Sequence, residues 1–513
     1  MKKKAPVANL LALCTGLLFL VLVEGVLQVF DLGPSPRLFV LAESENIYIA
    51  NRDATYRFFQ RQYQRHSPLD LSFAASKSPD VVRVFTLGAS TLVGFPHPVS
   101  AAFPHFLEKM LPAAYPDRRF EVINCGITAL NTFCLVDFMR ELADYEPDLV
   151  VVYAGHNEFM GPYGVTTPFV RFGNDRALIQ LYMLLQHSRL YYYLGEFIAW
   201  LEVRKQPDEE EKSFGLHLVQ EEIGLLDPGY EKTAENYRAN LEEIAAIAAE
   251  RGISLLFSTL VSNLKDFHPL RSECDEWTPT LAEVAEDQIG TALREKSYCA
   301  NLHFELGRRY YLRGQYDRAK VAFEQARDMD RLPFRAPTLF NHIIREVTAD
   351  SETALICDVE AVFAAASPHG IVGSELVSDY VHPTIYGHYL IARAMIETLE
   401  ASPLAGEWGA RGTLGGYADY RSDYPLLAEV WRRNDLMLFL KRMPYRVSPA
   451  SLSRRLAELI ETQLVAISQL ASFERNYFVE RGGLRFLKRM LKVLEPTDQQ
   501  HLQRTLEEVG GVF

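Results

Sequence analysis

Ser90 stands just past Gly88, at the end of Val81-Val82-Arg83-Val84-Phe85-Thr86-Leu87, an apolar and β-branched run that stops at the glycine. A strand that finishes in Gly-x-Ser puts a hydroxyl at the lip of a sheet. Far downstream, Asp379 and His382 are three apart in Ser378-Asp379-Tyr380-Val381-His382-Pro383. That spacing lets a carboxylate hold the Nδ1 side of an imidazole while Nε2 faces a serine, the arrangement that makes a hydroxyl nucleophilic. Two further apolar runs end in small or polar residues, one in Cys125-Gly126-Ile127 and the other in Gly155-His156-Asn157-Glu158. A serine, a glycine and an asparagine therefore fall at C-terminal strand ends, where open α/β sheets gather their sites.

The elements that must position these residues alternate. The strand from Val81 is followed by a helix from Ala102 to Ala114, a strand from Phe120 to Asn124, a helix from Thr132 to Tyr145 and a strand from Leu149 to Ala154. This βαβαβ pattern predicts a parallel sheet covered on both faces. The alternation resumes with a helix from Tyr230 to Arg251, stopped by Gly252, and strands Ser254 to Leu260 and Ala354 to Val359; a helix from Ile385 to Leu399 follows the Asp379 and His382 block. The loop Val261 to Leu264 should face the site, which makes Asn263 a weak candidate for a substrate contact and a turn residue otherwise. His388, a rival base, lies inside a helix and is expected to pack. Gly173-Asn174-Asp175 is read as an ordinary loop, because no strand precedes it.

In order, these blocks resemble those of the SGNH hydrolases, the GDSL esterase and lipase family, over Val81 to Glu158 and Ala354 to Leu399. The resemblance implies an α/β fold, a flavodoxin-like three-layer parallel sheet, here with helical insertions and a C-terminal helical region. It places Ser90 on the nucleophile and Asp379 with His382 on the Asp-x-x-His block. It also places Gly126 on a backbone donor and Asn157 on a side-chain donor of the oxyanion hole, which the N–H of Ser90 completes. Two blocks depart from the family pattern: Gly88-Ala89-Ser90-Thr91 stands for Gly-Asp-Ser-Leu, and Gly155-His156-Asn157-Glu158 for Gly-x-Asn-Asp. Neither change removes a catalytic group. The first bears on how the nucleophile turn is braced, and the second on a supporting hydrogen bond.

Composition narrows the function classes. The chain has 513 residues, 48% hydrophobic and 12% aromatic, enough for several domains with real cores. Its formal charge of -13 argues against a nucleic-acid partner. Six cysteines without a CxxC or a zinc-type spacing give no readable metal site or disulfide framework, and no cofactor is expected. Lys2-Lys3-Lys4 precedes an apolar run from Ala5 to Val23, about 28 Å as a helix and so long enough to cross a hydrocarbon core. With no cleavage site after it, the run reads as an uncleaved single-pass anchor; the lysines stay cytoplasmic and the rest lies on the periplasmic or extracellular side.

The expected organisation is an anchor over 1–30, a linker and aromatic-rich segment over 31–78, the hydrolase domain over 79–400 and a helical tail over 401–513. The hydrolase domain is interrupted twice. About 165–230 holds a Leu- and Tyr-rich helix, Leu178 to Val203, and a solvated charged patch, Asp208-Glu209-Glu210-Glu211-Lys212. About 275–348 contains Leu306, Gly307, Tyr310, Gly314, Tyr316, Ala319, Phe323 and Ala326, a small/large pattern that resembles one tetratricopeptide repeat. A structural lid is expected there, with a protein-binding groove as the alternative. In the tail, helices are expected at Leu426 to Leu440, Pro449 to Tyr477 and Leu484 to Leu494, the last amphipathic and basic. The functional expectation is a membrane-anchored serine esterase acting on acyl esters of cell-envelope carbohydrate or lipid. A carbohydrate O-acyltransferase with the same triad and a non-catalytic anchored adaptor are the alternatives.

Overall fold

Five short runs of mostly apolar residues make the central sheet: β1 Val81–Gly88, β2 Arg119–Asn124, β3 Leu149–Tyr153, β4 Ser254–Ser258 and β5 Ala354–Cys357. The strands pair in the order β2-β1-β3-β4-β5, all parallel, which is the flavodoxin-like order. Every residue of β3 is buried, as a strand covered on both faces requires. The covering helices pair off, Phe103–Ala114 with Ile385–Glu400, and Thr132–Leu142 with Pro228–Arg251. The fold is thus the expected three-layer α/β sheet with helical additions.

The computed structural model describes residues 5–59, 63–64, 68–167, 174–203, 212–213, 221–274, 286–421, 426–442, 449–500 and 502–503. It divides into two compact units, one formed by 1–76 with 169–214 and the other by 77–168 with 215–513. The insertion after β3 therefore folds with the N-terminal segment, where separate regions were expected. The reason is shared packing: the Tyr56 ring meets Tyr192 edge-on at 5.0 Å, and Arg57 reaches His187 at 3.2 Å.

In this first unit, the helix Ala5–Val29 precedes a three-stranded antiparallel sheet of Phe39–Ala42, Ile47–Ala50 and Ser72–Ala74. The side chains of residues 5–10 and 13 lie outside the described residues, and among the described residues no helix is long and apolar enough to cross a membrane. The expected Leu- and Tyr-rich helix is two, Arg176–Gln186 and Arg189–Val203. Ser188 caps the new helix start, its Oγ accepting from Tyr191 N–H, and Glu24 reinforces it by accepting from Ser188 Oγ and from the backbone N–H groups of Arg189 and Leu190. Asp175 caps the preceding helix, its Oδ1 accepting from Leu178 N–H, while Gly173 of the expected Gly173-Asn174-Asp175 loop lies outside the described residues. The patch at 208–211 lies outside the described residues.

In the second unit, helices Ala300–Leu312 and Tyr316–Asp328 form a tight hairpin, with Gly307 against the ring of Phe323. Phe304, Ala319, Phe323 and Ala326 share a core with Leu264 and Ile371, on the segments that lead to the site. Cys274 and Cys299 are joined as a disulfide with Cα atoms 5.6 Å apart, a pair that their spacing did not announce. In the tail, the expected helix from Pro449 to Tyr477 is broken into Pro449–Gln469 and Ser472–Glu480, where the Glu474 carboxylate accepts from Ala471 N–H. The basic helix is Gly483–Leu491, with Leu487 and Leu491 buried against helices Leu426–Arg442 and Pro449–Gln469.

Candidate active site

Ser90 opens the short helical turn Ser90–Val93 directly after β1. A side chain at Gly88 would meet the Tyr153 carbonyl at 2.4 Å, so only glycine lets β1 run beside β3 up to the turn. Asn124, the last residue of β2, donates to Leu92 O at 2.7 Å and accepts from Gly126 N–H at 2.9 Å. It ties the serine turn to the glycine loop. At Gly126 a Cβ would lie 2.5 Å from that of Leu92, so the glycine is required for this close approach.

The third block leans on the second. Asn157 Nδ2 donates to Leu130 O at 3.0 Å. Glu158, buried beside it, accepts from Thr132 N–H at 3.0 Å and from Thr132 Oγ1 at 2.6 Å, while Asn240 Nδ2 donates to the same hydroxyl. Burial pushes the Glu158 carboxyl up to about 7, against the pull of its bonds from Thr132. Gly126 N–H and one Asn157 amide hydrogen are thus engaged within the protein; Asn157 carries a second amide hydrogen.

On the opposite side, the segment from Leu376 to Thr384 doubles back through a bridge between Val377 and Pro383, with Ser378 N–H donating to His382 O at 2.7 Å. Asp379, fully buried, accepts through Oδ1 from the backbone N–H groups of Val381 and His382, both at 2.8 Å. Its Oδ2 lies 2.6 Å from His382 Nδ1, and His382 Nε2 lies 2.7 Å from Ser90 Oγ. Burial raises the Asp379 carboxyl, but the His382 charge and these hydrogen bonds outweigh it and hold the group below the usual carboxylate range. An ionised carboxylate only accepts, so Nδ1 carries the ring proton and Nε2 is left to accept from the serine.

Asn263, the expected weak substrate contact, is fully buried and its amide is spoken for. Nδ2 donates to Val377 O and Ser374 Oγ, Oδ1 accepts from Asp266 N–H, and Asn263 N–H donates to Tyr380 O. It pins the Asp379 loop. Arg335 runs under the same loop, donating to Asn263 O at 3.0 Å and Phe267 O at 3.2 Å, with Asp330 3.6 Å away. Arg455, on a tail helix, donates to Ser378 O at 2.9 Å. None of Asn124, Arg335 and Arg455 was singled out from sequence. A polar residue ending a strand was a faint signal for Asn124; the two arginines gave none.

Three histidines surround the site without entering it. His388 Nδ1 accepts from Phe103 N–H at 3.3 Å, His156 Nδ1 accepts from Ala336 N–H at 3.1 Å, and His97 Nε2 lies 3.3 Å from Ser378 Oγ. Burial, helped by nearby positive charge, pushes His97 and His156 down to about 3, and burial holds His388 well below the ordinary range, so all three are neutral. Around His382 stand Phe95, Phe439 and Phe334, with ring centroids at 4.7, 6.2 and 6.4 Å. These rings make an apolar wall beside the imidazole.

No family model and no curated protein matches the chain. Solved structures similar to it include an acetyl xylan esterase, 12% identical, covering 62% of this chain and 98% of that one with a TM-score of 0.31. A GDSL-like lipase from Bacteroides thetaiotaomicron is 11% identical, covering 64% of this chain and 92% of its own with a TM-score of 0.32. A lipase/acylhydrolase from Enterococcus faecalis is 12% identical, covering 62% and 96% with a TM-score of 0.28.

Proposed function

We propose that the chain is a membrane-anchored serine esterase that cleaves acyl esters, those of cell-envelope carbohydrate or lipid, with Ser90 as nucleophile. The observation that carries this reading is the continuous path from Ser90 Oγ through His382 to buried Asp379, with steps of 2.7 and 2.6 Å. As Oγ attacks the acyl carbonyl, His382 Nε2 takes its proton and Asp379 stabilises the imidazolium. The carbonyl electron pair moves onto oxygen, where the N–H of Ser90, the N–H of Gly126 and the second amide hydrogen of Asn157 are the assigned donors. For Gly126 this requires Asn124 to share or release the N–H. His382 then hands its proton to the leaving alcohol, and water repeats the sequence on the acyl-enzyme.

The anchor rests on the lysine-flanked apolar run, part of which lies outside the described residues. Placement of the catalytic unit on the non-cytoplasmic side is supported by the Cys274–Cys299 disulfide, since such bonds persist in oxidising compartments. In this reading the repeat-like hairpin buttresses the site, because its core is spent on Leu264 and Ile371. An O-acyltransferase would use the same residues, with a sugar hydroxyl in place of water.

Detergent-solubilised full-length protein should hydrolyse a nitrophenyl acetate, and a phosphonyl fluoride should label Ser90 alone. Both signals should vanish in Ser90→Ala. No labelling in a folded sample would overturn the esterase in favour of the adaptor, and acyl transfer onto added carbohydrate, faster than hydrolysis, would assign the transferase.

A further inference from the structure

We infer that the two insertion helices of the first unit lie in the membrane surface, sunk into the boundary between lipid headgroups and acyl chains. This rests on the anchor reading of the N-terminal helix. Helix Arg176–Gln186 is apolar on two faces. Ile179 and Met183 are buried within the protein, while Leu178, Leu181, Leu184 and Leu185 point outward, Leu184 with 68% of its surface exposed. A soluble helix needs only the first of these faces.

Helix Arg189–Val203 repeats the pattern. Leu194, Phe197, Ile198 and Leu201 follow the spacing i, i+3, i+4, i+7 of a single stripe, and they are 52%, 55%, 47% and 41% exposed with the whole chain in place. Adjacent exposed stripes of this size mark an interaction surface.

The neighbouring N-terminal helix says what covers them. Leu17, Leu18, Phe19, Leu20, Val21 and Leu22 are consecutive and all exposed. Six consecutive residues go well past one full circuit of a helix, so no single protein groove could cover them. A medium that is apolar on every side does. The insertion is fastened to this helix where its apolar run ends: Glu24 reinforces the cap of Arg189–Val203, and the Arg189 guanidinium donates to Leu27 O at 2.9 Å and pairs with Asp31. Glu24, Asp31 and Arg189 thus mark the level at which the anchor meets polar surroundings, and the apolar stripes begin at that level, as for helices lying in an interface.

The test places an environment-sensitive nitrobenzoxadiazole probe on the full chain in phosphatidylcholine and phosphatidylglycerol vesicles. Native Cys14 is exposed while Cys125, Cys134 and Cys357 are buried, so Cys14 reports on the anchor. In a Cys14→Ser background, Leu184→Cys and Ile198→Cys report on the insertion, and Leu312→Cys, at a position 70% exposed in the second unit, serves as the aqueous control. At 184 and 198 the emission should shift to the blue, be quenched by doxyl lipids and resist iodide; at 312 iodide should quench. Lipid contact at 14 with iodide access at 184 and 198 overturns this inference and leaves the anchor standing. Lipid contact at 184 and 198 with iodide access at 14 removes the anchor and overturns the inference as argued from it, leaving a lipid contact of another origin. Iodide access at all three sites rejects both.

Discussion

On the serine side of the site, Ser90, Gly126 and Asn157 follow β1, β2 and β3, three neighbours in one parallel sheet. Their loops brace one another over short distances through Asn124, Glu158 and Thr132. On the histidine side, Asp379 and His382 sit on a loop separated from β5 by the helix Val359–Ala366. That loop is held by polar groups drawn from distant segments, the buried Asn263 and Arg335 and the half-buried Arg455. Strand register positions the first side, whereas a network of buried charge and amide groups positions the second. Changes on the serine side should therefore cost rate with little loss of stability, and changes beneath the histidine loop should cost both.

The largest effect tests the histidine itself. Asp379→Asn keeps an oxygen for the N–H groups of Val381 and His382 but turns an amide donor toward Nδ1. The ring must then carry its proton on Nε2, which can no longer accept from Ser90. Turnover should fall about ten-thousand-fold with a normally folded protein. A loss of less than tenfold, measured with nitrophenyl acetate, would remove Asp379 from the relay.

Arg335→Met tests the support beneath. The guanidinium is almost wholly buried, and its removal takes the neighbouring positive charge from Asp330, a carboxyl raised to about 6 by burial that keeps its bonds from the N–H groups of Leu270, Arg271 and Leu332, and strands two backbone carbonyls. Breaking a buried pair in this way costs about 3 to 5 kcal/mol, read as a lowered urea midpoint. Activity should fall as well, because Asn263 loses its tie. Asp330→Asn costs stability too, because its amide nitrogen must face a backbone N–H of Leu270, Arg271 or Leu332; a double variant less unstable than the sum of the singles reads the coupling, and one as unstable as that sum would show that the pair is not coupled.

Asn157→Ala reverses the pattern. In the proposed mechanism its second amide hydrogen serves charge that develops only in the transition state, so the change should lower turnover about 10² to 10³-fold while leaving the urea midpoint nearly unchanged. A large stability loss with unchanged turnover would make its bond to Leu130 O the whole of its role.

The same contrast decides what the sequence could reveal. The serine-side residues were legible because each ends an apolar run, and the strand pattern itself announces where the sheet edge lies. Asp379 and His382 were legible by spacing. Their supports were not, because Asn263, Arg335 and Arg455 act across long sequence separations and carry no periodicity; Asn263 reads as a turn residue and a weak candidate for a substrate contact, with no sign in the sequence that its N–H meets Tyr380 O. The Cys274–Cys299 bond was hidden for the same reason. The insertion reads as one helix; its break is a serine cap at Ser188, whose hydroxyl accepts from Tyr191 N–H, reinforced by Glu24 from far away in the chain.

Glu158 offers the smallest and most specific test of the serine side. It stands where the related pattern has aspartate, and burial lifts its carboxyl from an ordinary 4.5 to about 7. Below pH 4.5 the group is protonated in both folded and unfolded chains and contributes no pH dependence. Between 4.5 and 7 the unfolded chain sheds the proton first, so folded stability falls as pH rises; above 7 both forms are ionised and the penalty is constant. A displacement of that size is worth about 3 kcal/mol. Glu158→Gln cannot ionise and can still accept from Thr132 N–H, so the variant should gain on the native chain by about that amount as the urea midpoint is followed from pH 4.5 to 8. A difference between the two proteins that stays flat over this range would mean that the carboxyl ionises normally in the fold, and that Thr132 and Asn240 hold the glycine and asparagine loops together without it.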